Sequence, residues 1–164
     1  MTPDERIREL NLNLPKPIIL PPNVEMQFSW VRISGNRVFI SGHIALNADG
    51  SVSEVTGKVG GEVTVEQGYE AARQTGLAIL SSLKRELGTL NKITAWLRVF
   101  GMVNVEPGFV KTPLVINGCS DLILDVFGKE IGNHSRSAVG MAELPFGAAV
   151  EIEAEIEIAM SNFT

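Results

Sequence analysis

Arg136 and the four glutamates at every second position from 151 to 157 are the residues whose types and spacing most plainly allow chemistry. From Arg136 to Ala142, apolar residues alternate with small or polar ones, as in a half-buried strand. A guanidinium opening such a strand can offer a planar, bidentate fork to a carboxylate. Read from the residue alone, a salt bridge to one of the nearby glutamates is the competing role. From Ala149 to Ile158 the alternation is strict: Val150, Ile152, Ala154, Ile156 and Ile158 share one face, Glu151, Glu153, Glu155 and Glu157 the other. A carboxylate row of this kind repels itself unless it is solvated or answered by cations. Leu144-Pro145-Phe146-Gly147 lies between the two segments and carries the residues of a chain reversal. The two strands are therefore expected to pair as a hairpin with Arg136 at its mouth. Arg136 would then lie opposite about residue 154, with Glu151 roughly 10 Å further along its strand at about 3.3 Å per residue.

Other reactive side chains are few. His43, His134 and Cys119 are the whole complement of histidine and cysteine, and they show no metal-ligand spacing. Cys119 falls on the apolar stripe of a predicted helix, where a cysteine packs as a small hydrophobe. The glycines from Gly57 to Gly61 lack both the phosphate-loop lysine and the dinucleotide-binding spacing, and the elbow motif of serine hydrolases is absent.

The elements that must position these residues can be read in order. Thr2-Pro3-Asp4-Glu5 has the form of a capped helix start, followed by an extended connector bearing Pro15, Pro17, Pro21 and Pro22. Residues 1–22 are read as this helix and arm, and 23–164 as one domain. Val24 to Ile33 and Arg37 to Gly42 read as two strands about the turn Ser34-Gly35-Asn36. The segment from Ser51 to Gly61 reads as a loop. Thr64 with Gln67 forms a capping box. The stripe Tyr69, Ala72, Gly76, Ile79, Leu80, Leu83, Leu87 predicts a long amphipathic helix stopped by Gly88. Asn91 to Val103 predicts a third strand, and Thr112-Pro113 opens a second helix whose end is expected at Gly128. The sum is an α+β domain of order β-β-α-β-α-β-β, both helices on one face of a mixed sheet. The other face is left uncovered, and association of several copies would relieve it.

Totals set outer bounds. The chain has 164 residues, 45% hydrophobic and 20% charged, which suits a single ordinary domain. A net charge of -5 without any lysine or arginine run argues against a nucleic-acid partner. No apolar stretch approaches the roughly 20 residues of a membrane span. The single cysteine and the absence of a signal-peptide pattern near Met1 lead to the expectation of a cytoplasmic protein.

Three segments carry a family resemblance. Arg136-Ser137, Ala142-Glu143-Leu144-Pro145 and Val150-Glu151-Ile152-Glu153-Ala154 match, in order and spacing, the carboxy-terminal signature of the Rid family, also called YjgF-type or endoribonuclease L-PSP-like proteins. Phe39-Ile40-Ser41-Gly42-His43-Ile44 resembles that family's early Ile-x-Ser-Gly-Gln-Ile strand. The likeness runs from about residue 24 to the end and is similar to a divergent branch of longer members. The features shared with that branch are Gly57-Lys58-Val59-Gly60, Gly68-Tyr69-Glu70-Ala71-Ala72-Arg73, Asn117-Gly118-Cys119-Ser120-Asp121-Leu122, Phe127-Gly128 and His134-Ser135-Arg136-Ser137-Ala138-Val139-Gly140.

The resemblance implies a chorismate-mutase-like fold in a homotrimer, three sheets closing into a barrel with helices outside and three clefts between subunits. It implies hydrolytic deamination of 2-imino and 2-enamino acids to 2-keto acids and ammonia, with no metal or organic cofactor. Arg136 would clamp the substrate carboxylate and Glu151 would position or activate water. Gly42 would offer backbone contacts, Asn117 lies at a polar position near the cleft, and Phe28 aligns with an aromatic residue. His134 would either donate a proton to the cleft or cap the strand from outside it. This chain departs from many deaminating members in two ways: Ala138 stands in place of a thiol and Phe28 in place of a tyrosine. A trimer that binds a small carboxylate without turning it over is therefore the alternative expectation, and RNA cleavage is the least favoured.

Overall fold

Five strands, side by side in the order Val31–Ser34, Arg37–Ile44, Val150–Ile158, Ile93–Asn104 and Ser135–Met141, form the sheet on which the rest of the chain is built. The computed structural model describes residues 1–160. The elements are α1 Pro3–Glu9, β1 Val31–Ser34, β2 Arg37–Ile44, α2 Val65–Leu87, β3 Ile93–Asn104, α3 Thr112–Gly132, β4 Ser135–Met141 and β5 Val150–Ile158. After α1 this is the expected β-β-α-β-α-β-β order of an α+β domain, with a mixed sheet.

Two of the three helix starts follow from their caps. Thr64 accepts from the Gln67 amide at 3.1 Å and Gln67 Oε1 accepts from the Thr64 amide at 2.9 Å, so two otherwise unpaired donors are satisfied reciprocally. Thr2 and Glu5 repeat the arrangement at α1. Ile79, Leu80 and Leu83 of α2 and Val115, Ile116, Cys119 and Leu122 of α3 pack without exposure against Val38, Val99, Ile152 and Ile156 of the sheet. One face of the sheet is thus buried under two helices, as the patterning required.

Three expectations are corrected. The segment from Arg136 to Ala159 is not a hairpin: β4 runs parallel to β3, and β5 lies between β2 and β3, antiparallel to both. Alternation with period two fixes which face a residue takes but not which strand it pairs with. The two strands differ in apolar content. On its core face β5 carries Val150, Ile152, Ala154 and Ile156, all essentially buried, which suits a central strand. The corresponding face of β4 carries Arg136, Ala138 and Gly140, which suits an edge. The first strand is also shorter than the expected Val24–Ile33, because residues 24–30 are irregular, with bends at 27, 28 and 30. Finally, Gly128 breaks the second helix with φ 68° and ψ 175°, but a last turn follows it to Gly132.

Candidate functional site

Arg136 sits half-buried on β4, in register with Val99 of β3, so its side chain leaves the sheet on the helix side. There it meets one face of α3, where Pro113, Asn117 and Ser120 recur at steps of four and three. Nη1 donates to Asn117 Oδ1 at 2.9 Å and to Ser120 Oγ at 3.0 Å, and Nη2 donates to the Pro113 carbonyl at 3.3 Å. No carboxylate pairs with the guanidinium among the described residues. Neutral acceptors therefore fix its direction and leave its charge unanswered.

His134 completes this cluster. Its Nδ1 lies 2.7 Å from the Gly132 carbonyl, which can only accept, so Nδ1 carries the proton and donates. Its Nε2 then accepts from the Ser120 hydroxyl at 2.9 Å. The chain Arg136 → Ser120 → His134 → Gly132 carbonyl has every proton assigned. Burial, assisted by the Arg136 charge, holds the His134 pKa below the usual value, so the ring stays neutral and both its nitrogens are engaged within the cluster.

A second cluster lies at the free edge of β2. β1 pairs only with residues 37–40, and a bulge between Ile40 and His43 interrupts pairing with β5. Past that point the strand borders a cavity of about 410 Å³ whose walls include Phe28, Trp30, Gly42, His43, Arg85 and Glu151. Phe28 is 51% exposed and packs edge-on against Trp30. Glu151 is half-buried on the uncovered face of the sheet. Burial, and secondarily the neighbouring Glu153 charge, pushes its carboxyl above the ordinary range. Gly42 is glycine for a visible reason, since a Cβ there would overlap Glu151 Oε1.

The six residues expected at the site thus fall into two groups. The structure gathers Gly42, Phe28 and Glu151 around the cavity, and Arg136, Asn117 and His134 at the opposite edge of the sheet. Within one chain the groups do not meet. Arg136 and Glu151 point to opposite faces, two strands and three residues apart, which places their Cα atoms roughly 14 Å from each other. Sequence reasoning missed Ser120, Ser82 and Arg85. Ser120 could have been found from its i, i+3 relation to Asn117; no local signal marks Ser82 or Arg85, because their role depends on contact with β2.

Two further groups are accounted for. Cys119 is fully buried and its thiol is pushed up to about 12 by that burial, so it packs as a hydrophobe. Among the described residues no group of three His, Cys, Asp or Glu could hold a metal ion, and no helix is long and apolar enough to cross a membrane.

Comparison with known proteins supports the fold described above. A model of the family described as "YjgF/chorismate mutase-like, putative endoribonuclease" matches residues 10–153. Protein TCP17 of Trypanosoma cruzi is 42% identical over 125 residues, covering 76% of this chain and 77% of that protein. The crystal structure of Atu1372 from Agrobacterium tumefaciens, of unknown function, superposes with TM-score 0.83 at 39% identity, covering 96% of this chain and 92% of that one. A "putative endoribonuclease" from Shewanella oneidensis MR-1 gives TM-score 0.85 at 28% identity over 96% and 100%. RidA from the Antarctic bacterium Psychrobacter, at 20% identity and TM-score 0.56 over 87% and 99%, shares the fold.

Proposed function

Because the chain belongs to the YjgF/chorismate mutase-like family, we propose that it hydrolyses reactive 2-imino and 2-enamino acids to 2-keto acids and ammonia, at clefts shared between subunits of a homotrimer. The observation that carries this reading is Arg136: a guanidinium aimed by three neutral acceptors, with no acid paired to it among the described residues, is built to receive an external carboxylate. The separation of the two clusters supports a shared cleft. A contact that brings the β4 edge of one copy to the β2 edge of the next is heterologous, and closes on itself in a ring. It would also cover the open sheet face, where Phe39 is 40% exposed beside the glutamate row.

The chemistry asks little of the protein. Arg136 holds the carboxylate, and the water held by Glu151 loses a proton to that carboxylate as its oxygen bonds to C2. Glu151 passes that proton to the imine nitrogen, giving the carbinolamine; it then takes the hydroxyl proton and delivers it to the amino nitrogen as C=O forms and the C–N bond breaks, so the nitrogen leaves as ammonia. Imine and water thus become ketone and ammonia, with no electron transferred. The raised pKa of Glu151 makes it a stronger base than an ordinary carboxylate, which suits a group that must both take and return a proton. RNA cleavage, the activity in the family's description, sits poorly with a net charge of -5. The second reading, a non-catalytic carboxylate-binding trimer, is favoured by Ala138 and Phe28 in place of the thiol and phenol.

The test is keto-acid and ammonia release from an imine made in situ from 2-aminobutyrate by an amino-acid oxidase. Acceleration over uncatalysed hydrolysis is expected; a confirmed trimer that gives none overturns the deaminase reading in favour of binding alone. Two variants refine it. Gly42→Ala is expected to lower turnover about tenfold or more with an unchanged Tm, since the new methyl displaces only the flexible end of Glu151. As pH falls, kcat/KM should decline through the Glu151 pKa, above the ordinary value of 4.5, because the ionised form is the active one. Glu153→Gln removes a like charge and should move that acid limb to lower pH; an unmoved limb would assign it to another group.

A further inference from the structure

The cavity holds more than a short imino acid needs. At about 410 Å³ it lies in the range, roughly 300–1,000 Å³, of pockets that enclose sizeable ligands. Ile18, Leu20, Met26, Phe28 and Trp30 give it apolar walls. Its charged lining residues are Lys16 from the arm, Glu151 from β5 and Arg85, which projects from α2.

Arg85 is held as deliberately as Arg136. Its Nη2 donates to Ser82 Oγ at 2.9 Å and its Nη1 to Ser81 Oγ at 2.5 Å. Both serine protons are committed elsewhere. Ser81 donates to the Pro15 carbonyl, and Ser82 donates to Nε2 of His43 at 2.9 Å. His43 in turn donates from Nδ1 to the Ser41 carbonyl at 2.6 Å. Each serine oxygen is left to act only as an acceptor toward the guanidinium, so its plane is fixed. His43 is 5% exposed and burial lowers its pKa to about 4, which keeps the relay neutral and Ser82 oriented at ordinary pH. No carboxylate pairs with Arg85 among the described residues; Glu151 lines the same cavity without forming an ion pair to it.

Taking the deaminase reading as its premise, we propose that Arg85 receives a second anionic group at the far end of the substrate's side chain, so that the protein selects dicarboxylic 2-imino acids with an extended apolar spacer. Arg136 of the adjoining subunit takes the carboxylate beside the imine, the apolar walls take the spacer, and Arg85 takes the distal charge. A charge-assisted bond to a fixed guanidinium at a partly open site should favour the dianion about tenfold.

Stable keto-acid products test this without turnover. Titration calorimetry would compare 2-oxohexanedioate with 2-oxohexanoate, which differ only in a terminal carboxylate against a methyl group. The wild type is expected to bind the dianion at least tenfold more tightly. Arg85→Met should abolish that preference, and Arg85→Lys, which keeps the charge and controls for folding, should retain part of it. Equal binding of the pair by the wild type, or a preference that survives in Arg85→Met, overturns the proposal. Turnover of the short imine from 2-aminobutyrate, whose side chain carries no anionic group for Arg85, judges the deaminase reading separately. A wild type that prefers the dianion but turns nothing over would overturn that reading and uphold the role of Arg85 in binding.

Discussion

Arg136→Ala is expected to lower kcat/KM for a 2-imino acid by about three orders of magnitude while leaving the fold and assembly intact. The estimate follows from what truncating one member of a desolvated charge pair loses, about 2–5 kcal/mol, or roughly 30- to 4,000-fold. The upper half of that range is expected because Arg136 is pre-aimed: Asn117 and Ser120 are already in place, and little ordering remains to be done when the carboxylate arrives. The fold should tolerate the change, since Arg136 lies on an edge strand where water can replace it as a donor to Asn117 and Ser120. Arg136→Lys keeps a charge but loses the planar fork, and should fall between the two. An alanine variant with turnover within threefold of wild type would mean that the guanidinium has no part in substrate binding.

The same variant tests whether the two clusters meet across a subunit boundary. Arg136→Ala and Glu151→Gln each disable one half-site. Co-refolded from denaturant, they should form mixed trimers in which some clefts take Arg136 from one chain and Glu151 from the other. Random mixing restores about a quarter of the clefts to a complete pair in a heterologous ring. If the residues instead acted within one chain, every cleft would lack one of them and no activity would return.

The split between the clusters explains how much of this site was legible beforehand. Residue types and faces could be read directly: Arg136 on a half-buried strand, the glutamates alternating with a buried apolar row, Thr64 and Gln67 at a helix start. All of these are local properties of spacing. What could not be read was pairing. Arg136 and Glu151 stand 15 positions apart about a Pro-Gly turn, a pattern that suits a hairpin as well as it suits two strands flanking a third. Bookkeeping on the hairpin still placed Arg136 level with residue 154, and through Val99 the true sheet does align Arg136 with Ala154. The error lay in omitting β3 between them, a consequence of long-range order that no window of sequence contains. Ser82 and Arg85 were illegible for the same reason. On α2 they are a serine and a solvated arginine, and only the approach of His43 from β2 gives them a common purpose.

Gly118→Ala should be strongly destabilising for a single added methyl, and its effect leads back to the site. A Cβ at Gly118 would overlap the Tyr69 carbonyl oxygen and lie 2.9 Å from the carbonyl carbon and 3.1 Å from the Arg73 amide nitrogen. These are backbone atoms of α2, locked in its hydrogen-bond ladder, so no side-chain rotation can relieve the clash and the helices must separate. Overpacking against movable side chains costs about 1–3 kcal/mol; against backbone the loss should exceed about 3 kcal/mol, a fall in Tm of roughly 10 °C for a chain of this size. Tilting α3 away from α2 also moves Asn117, the adjacent residue, and Ser120 one turn on, which together aim Arg136. At a temperature where the variant is still folded, it should therefore show a raised KM for the imino acid, whereas Gly42→Ala, which disturbs only Glu151, should act without loss of Tm. Thermal denaturation beside steady-state kinetics separates the two. A Gly118→Ala protein with wild-type Tm would show that the helices have slack at their crossing, and that Arg136 does not depend on it.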